Sequence, residues 1–254
     1  MSVKLGVSPI SWTNDDMPEL GKDTSVEHCL KEGKQAGYSG FELGGKWPKD
    51  SAILTPLFDK YDMDVVSSWF CGGLLEDTLE GEIERITPHM NLLKEMGTEV
   101  IVYCGMDSCV HGDIGLPLSK RPVLDNEQWE EWTDKLSQLA KYTLSHGMKL
   151  AYHHHMGTVV QVEEEVDKLM AMTTHDLGLV FDTGHLIYAG ADPLEVYKKH
   201  SSRVMHIHCK DVRGEILNRS LETDSSFLNS VLNGIYTVPG DGDFNFPELF
   251  KMVS

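Results

Sequence analysis

Apolar residues along this chain follow two spacings that take turns. Short runs of apolar and β-branched residues read as strands at Lys4–Ile10, Ser39–Leu43, Asp64–Trp69, Glu99–Cys104, Lys149–Tyr152, Leu179–Phe181 and Val204–His208. Between them lie stretches with helical spacing. Thr24–Gln35 places Val26, Cys29 and Leu30 on one face. Leu79–Met96, Glu127–Ser145, Val160–Met172 and Pro193–His200 follow. Asp192 before Pro193 marks a helix start, with a side-chain acceptor at the cap and proline in the first turn. Gly37, Gly97, Gly147 and Gly178 fall where a helix should end and a strand begin.

Strand–helix alternation of this kind builds a parallel sheet with crossover helices. An open, doubly wound sheet would carry a glycine-rich phosphate loop after its first strand. Here that stretch is SPISWTNDDMPEL, without GxGxxG. The pattern predicts an α/β fold of the (β/α)8 TIM-barrel type, in which functional residues gather at the carboxyl ends of the strands. No linker or low-complexity tract divides residues 1–254, so one barrel domain is expected. Seven strands are counted, and the chain stops at KMVS soon after a helix start at Asn245–Glu248. The eighth strand is expected to be absent and the barrel C-terminally incomplete.

Composition narrows the function. The 254 residues carry a formal net charge of -18, which repels phosphate backbones and anionic lipids. Nucleic acid and membrane are not expected partners. Five cysteines, Cys29, Cys71, Cys104, Cys109 and Cys209, include no CxxC pair and read as reduced thiols of a cytoplasmic protein. No apolar run reaches the length of a membrane span, and the N-terminus lacks a signal-type segment.

The candidate chemistry lies in the histidines. Six of the twelve fall at the ends of three successive predicted strands: His153, His154 and His155 in AYHHHMGT, His185 in FDTGH, and His206 and His208 in MHIHCKD. Side chains alternate along a strand, so His153 and His155 share one face and His206 and His208 share another. If both faces line the barrel axis, four imidazoles meet the carboxylate of Asp182. That donor set suits Mn²⁺, Co²⁺, Fe²⁺ or Zn²⁺ better than Ca²⁺. His154 points the other way and reads as a supporting or packing residue. The second strand, GFELGGKWP, offers Glu42 and Lys46. The first ends in Trp12, Asn14 and Asp15, readable as a capped loop with a core aromatic or as a substrate wall. Trp69 after the third strand is open to the same two readings. Lys210, Asp211 and Arg213 follow the seventh strand, either as substrate contacts or as a solvated loop. The stretch from Asp211 to Phe244 is long for a barrel loop and reads as a candidate lid.

At AYHHHMGT, FDTGH, HIHCKDVR and VPGDGDFNFPELF the sequence resembles the xylose-isomerase-like, or AP-endonuclease-family-2-like, TIM barrels. LGVSPISWTNDDMPELG and GYSGFELGGKWP resemble its inosose dehydratase branch. The resemblance implies a divalent metal, Mn²⁺ or Co²⁺ foremost and Zn²⁺ next, at the barrel mouth. Family ligands sit on strands five to eight as Glu, Asp, His and Glu. They map to His153 in place of Glu, to Asp182 and to His208, and the last has no counterpart. His185 matches a position that contacts substrate. The implied reaction is loss of water from 2-keto-myo-inositol, a small polyhydroxylated cyclic ketone. A base would take the proton beside the carbonyl and an acid would protonate the departing hydroxyl. His185 and His155 are the candidates, in either order, with Lys46 as a further catalytic candidate. Trp12, Asn14, Glu42 and Arg213 are candidates for holding the substrate. A ketose isomerase or epimerase of the same superfamily, an endonuclease IV-like repair enzyme and a non-catalytic sugar-binding barrel are the alternative readings. Homo-oligomerisation, frequent in this superfamily, has no interface signature in the sequence.

Overall fold

The structure, a computed structural model, describes residues 5–253. It begins with β1 (Gly6–Val7), a short 3₁₀ turn at Pro9–Ser11, α1 (Val26–Gln35), β2 (Gly40–Leu43), α2 (Ser51–Tyr61), β3 (Asp64–Gly72) and α3 (Leu79–Glu95). Next come β4 (Val100–Gly105), α4 (Asn126–Ser145), β5 (Lys149–His153), α5 (Glu163–Met172), β6 (Leu177–Asp182), α6 (Thr183–Tyr188), α7 (Pro193–His200) and β7 (Val204–His208). The chain continues through β8 (Asp211–Val212), α8 (Gly214–Glu222), α9 (Phe227–Leu232), β9 (Tyr236–Thr237) and α10 (Phe246–Val253). Lys4, where the first strand was expected to begin, lies outside the described residues.

Strands β1 to β7 form one parallel sheet in sequence order, and β8 pairs with β9 as a separate antiparallel hairpin. The sheet is strongly curled: β7 packs against both β4 and β5 across its concave side. Among the described residues, no pairing links β7 to β1. Strands β4, β5 and β6 are buried on both faces, as crossover helices require. The main core lies between sheet and helices, around Leu30, Phe41, Ile86, Leu136 and Leu169. A thinner layer of Val102, Ala151 and Val180 fills the concave side and floors the strand ends above it.

Caps set the helix starts. Ser25, Thr78 and Asp125 each accept from the backbone three residues on, and Asp192 accepts from Leu194 as the sequence implied. Gly37, Gly97 and Gly147 adopt φ of 93°, 76° and 82° and end their helices as expected. Gly178 does not. It lies inside β6, paired with Ala151, where an added Cβ would meet Met205 Sδ at 2.2 Å. Helix α2 escapes the sequence reading because Pro56 stands inside it. A mid-helix proline costs about 3 kcal/mol, but burying Leu54 and Phe58 returns roughly 1.5–3 kcal/mol each. The expected 211–244 loop is also corrected, being mostly regular structure: the β8–β9 hairpin with α8 and α9 between its strands.

Candidate active site

Two irregularities in strand register assemble the site. Between β2 and β3 the pairing slips after Phe41, so that Glu42 stands beside Ser67. Between β6 and β7 it slips after Leu179, which sets Asp182 beside His208. Bulges re-aim side chains in this way. With the curl of the sheet, they bring Glu42 from β2, Ser67 from β3, His153 from β5, Asp182 from β6 and His206 and His208 from β7 into one concave cluster.

The cluster has two overlapping halves. In the first, His153 Nε2 lies 3.0 Å from His208 Nδ1 and 3.3 Å from Asp182 Oδ2, and His208 Nδ1 lies 3.4 Å from the same oxygen. In the second, Glu42 Oε2 accepts from Ser67 Oγ at 2.6 Å and lies 3.1 Å from His208 Nε2 and 3.6 Å from His206 Nε2. Each half holds three potential metal-ligating atoms within 4.8 Å of one another. Asp182 is fully buried. Its Oδ1 caps α6 by accepting from His185 N at 3.0 Å, and its Oδ2 accepts from Lys210 Nζ at 2.7 Å. His154, on the opposite side, presents Nε2 to the Asp182 amide at 3.5 Å, the supporting role expected of it.

Charge follows from these contacts. Burial opposes ionisation of Asp182, but Lys210, His185 and hydrogen bonds from His153 and His208 outweigh it, holding its carboxyl well below the usual range. Burial likewise opposes charge on Glu42, and His208 and His206 overcome it with the same result. His208 is part-buried, which works against its charge, yet Glu42 and Asp182 on its two sides raise it to about 9. Burial pulls His153 down to about 4 and His154 to about 3. It also holds His155 and His185 well below the ordinary value, with His153, His111 and Lys210 adding to the effect at His155, and His155 and Lys210 at His185.

Above the cluster, His155 and His185 lie with ring centres 3.9 Å apart. His155 Nδ1 lies 2.8 Å from the Met156 carbonyl, which only accepts, so that nitrogen carries the proton. The Met156 amide donates to His185 Nδ1 at 3.4 Å, and Tyr236 Oη lies 3.0 Å from the same atom. The His185 proton therefore sits on Nε2, a buried atom without a hydrogen-bond partner. Phe227 from α9 covers both rings at 4.8 and 5.9 Å, and Trp69 flanks His153 and His155 at 5.0 and 5.8 Å.

The structure brings His153, His155, Asp182, His185, His208 and Glu42 together. It does not bring Lys46, Trp12, Asn14 or Arg213 to them, and each has a different task. Lys46 Nζ donates to the carbonyls of Gly21, Lys22 and Thr24, tying down the first loop. Trp12 packs on Phe41 and donates to Glu32. Asn14 Oδ1 accepts from the amides of Asp16 and Met17, closing a local turn. Arg213 spans the carbonyls of Gly234 and Tyr236, Thr237 and Asp241, and so holds the hairpin. Ser67, Tyr236 and Phe227 were not singled out. Ser67 is a polar inward position in an apolar strand, a signal that alternation offers. Tyr236 and Phe227 lie where no periodicity marked them.

Comparison with known proteins places this geometry. The profile of the xylose isomerase-like TIM barrels matches residues 30–254. The chain belongs to that family. It is 47% identical to the rhizopine catabolism protein MocC of Rhizobium meliloti over 99% of this chain and 77% of that protein. It is 42% identical to inosose dehydratase 2 of Bacillus cereus over 100% of this chain and 86% of the relative. Among solved structures, the probable 3-DHS dehydratase AsbF of Bacillus anthracis shares the fold, with a TM-score of 0.72 at 15% identity over 99% of this chain and 89% of its own. The IolI protein, solved with a zinc atom, superposes with a TM-score of 0.63 at 16% identity, covering 83% of this chain and 74% of IolI. Among the described residues, no helix is long and apolar enough to cross a membrane.

Proposed function

We propose that the chain is a hydro-lyase that eliminates water from an inosose or a closely related cyclitol ketone. The observation that carries the reading is the pair of opposite imidazole tautomers at His155 and His185, set on a cluster suited to a divalent cation. The whole-chain identity to inosose dehydratases directs the choice of substrate.

The donor set fits a cation. Three ligand atoms of His153, Asp182 and His208 face one another at 3.0–3.4 Å, close enough for a single divalent cation to reach all three. Imidazole with carboxylate favours Mn²⁺, Co²⁺ or Zn²⁺. When bound, the cation would polarise the ketone oxygen and draw off the negative charge that develops there.

The remaining chemistry belongs to the chain. His155 Nε2, with its lone pair fixed by the Met156 carbonyl at the opposite nitrogen, takes the proton beside the ketone. As the carbon–oxygen bond to the neighbouring hydroxyl breaks, the bonding pair of the C–H bond becomes the new double bond. His185 Nε2–H gives its proton to the departing oxygen, so that water leaves. Tyr236 Oη, donating to His185 Nδ1, offsets the charge left on that ring. Burial keeps both imidazoles neutral before reaction. Phe227 and Trp69 keep bulk water from the reacting atoms. No nicotinamide is required, because the reaction involves no net redox change.

The test is incubation of metal-stripped protein with 2-keto-myo-inositol, with and without added Mn²⁺ or Co²⁺, followed by mass spectrometry. Cation-dependent loss of one water is expected. A product of unchanged mass would indicate an isomerase or epimerase instead. Binding without turnover would leave a sugar-binding barrel.

A further inference from the structure

We infer that Glu42, His206 and the Nε2 edge of His208 form a second divalent-cation site, so that His208 bridges two ions. The argument begins with the imidazole. Its two nitrogens point away from each other, so one ion cannot use both. Here each faces its own set of donors. Nδ1 faces His153 Nε2 at 3.0 Å and Asp182 Oδ2 at 3.4 Å, whereas Nε2 faces Glu42 Oε2 at 3.1 Å. His206 Nε2 completes the second set, 3.6 Å from the same Glu42 oxygen. A ring flanked by a carboxylate at both nitrogens needs a cation, proton or metal, on each side.

Three features make the second set a built site rather than a chance meeting. Its three residues come from β2 and β7, on opposite sides of the curl, and the β2–β3 register slip orients the acid. Ser67 Oγ donates to Glu42 Oε2 at 2.6 Å and orients the acid, as outer hydrogen bonds do in metal centres. The side chains of His206 and His208 are 20% and 15% exposed, whereas those of His153 and Asp182 are 0% exposed, so an ion has a route to the second site. Two imidazoles and one carboxylate match the ligand set of open catalytic zinc sites and suit Zn²⁺ or Co²⁺. With both ions bound, His208 is an imidazolate and both of its ring protons have passed to solvent.

Cation stoichiometry tests this without the dehydration assay, so its outcome is separable from that of the proposed reaction. Metal-stripped protein is titrated with Co²⁺ at 0.15 M salt in the presence of citrate, to suppress weak surface binding, and ions per chain are counted after gel filtration. Two are expected in the wild type. One is expected in Glu42→Gln and in His206→Gln, one in Asp182→Asn, and none in His208→Ala, each with a native circular dichroism spectrum. Ser67→Ala, a milder change, should weaken only one of the two binding steps. Loaded with two equivalents of Cu²⁺, the wild type should show the magnetic coupling of an imidazolate bridge. A single ion in the wild type overturns the inference whatever the variants do. So do two ions that persist in Glu42→Gln and His206→Gln, or two that show no coupling.

Discussion

The imidazoles of His155 and His185 lie 3.9 Å apart, and the peptide groups at Met156 hold them in opposite tautomers. One backbone carbonyl fixes the proton of His155 on Nδ1, and one amide fixes that of His185 on Nε2. The two side chains thus become distinguishable as proton acceptor and proton donor. Substituting either by Ala should lower kcat by about 10²–10⁴-fold, the usual contribution of a general acid or base, with the fold retained. Tyr236→Phe removes only the hydroxyl at His185 Nδ1. It should lower kcat by about tenfold and leave KM nearly unchanged, as loss of one charge-assisted hydrogen bond in the transition state would. Steady-state kinetics on folded variants decide the matter. Unchanged kcat in His185→Ala would remove it from the mechanism.

Lys210 and a bound cation compete for one oxygen. Nζ sits 2.7 Å from Asp182 Oδ2, the atom also faced by His153 and His208. Lys210→Met should make the cation-free protein less stable, because it leaves a buried carboxylate with less compensation. The same change should tighten Mn²⁺ or Co²⁺ binding by about tenfold, since the cation no longer displaces an ammonium. Thermal melts with and without the ion would show a lower starting Tm and a larger upward shift than in the wild type. Weaker cation binding in the variant would mean that Lys210 assists the ion rather than opposing it.

How far the sequence disclosed this arrangement depends on the range of the interactions involved. Strands β4, β5 and β6 were legible because both-face burial makes them continuous apolar runs, and the shared face of His206 and His208 followed from alternation. Of the four imidazoles expected at Asp182, His153 and His208 reach it, whereas His206 lies on Glu42 and His155 against His185. Helix α2 was hidden because a local breaker, Pro56, is overruled by the tertiary burial of Leu54 and Phe58. The contact between Glu42 and His208 spans 166 positions and depends on the curl of the sheet, which no local pattern encodes. Lys46 was read as a catalytic candidate in a motif, yet three backbone carbonyls claim it. Side-chain partners of that kind are set by where loops come to rest. The tautomers of His155 and His185 were likewise illegible, since they hinge on two backbone groups of a neighbouring residue.

Arg203 is buried at the amino end of the sheet, 6% exposed, and supplies four hydrogen bonds. It donates to the carbonyls of Leu177, Met170 and Thr174 and to Thr173 Oγ1 at 2.8–3.1 Å, clipping the end of α5 to the starts of β6 and β7. Arg203→Met keeps most of the apolar stem but strands three carbonyls. At about 1–3 kcal/mol for each buried unsatisfied group, partly relieved by water, a loss of about 3–5 kcal/mol is expected. For a chain of this size that is a fall in Tm of about 10 °C. Differential scanning calorimetry measures it, and a drop of only a degree or two would show that the clip is dispensable.

His111 links the loop after β4 to the first loop of the chain, with Nε2 3.2 Å from Asp16 Oδ1 and Nδ1 3.1 Å from Cys109 Sγ. Its ring meets His155 edge-on, so the link braces one wall of the site. Burial disfavours its charge, but Asp16 and Cys109 outweigh burial and raise it to about 9. The folded value thus lies above the ordinary unfolded value of about 6.5. Its stabilising contribution is then fully present below pH ~6.5 and is lost as pH rises through about 9. With Asp16 part-exposed and screened, that contribution is about 1–2 kcal/mol. Urea unfolding of wild type and His111→Asn at pH 6 and pH 10 isolates it from the other groups that titrate in this range. The wild type should be the more stable at pH 6, and the gap should shrink at pH 10. A gap that is constant, or that widens with pH, would show that His111 is neutral in the folded protein and that packing alone holds the wall.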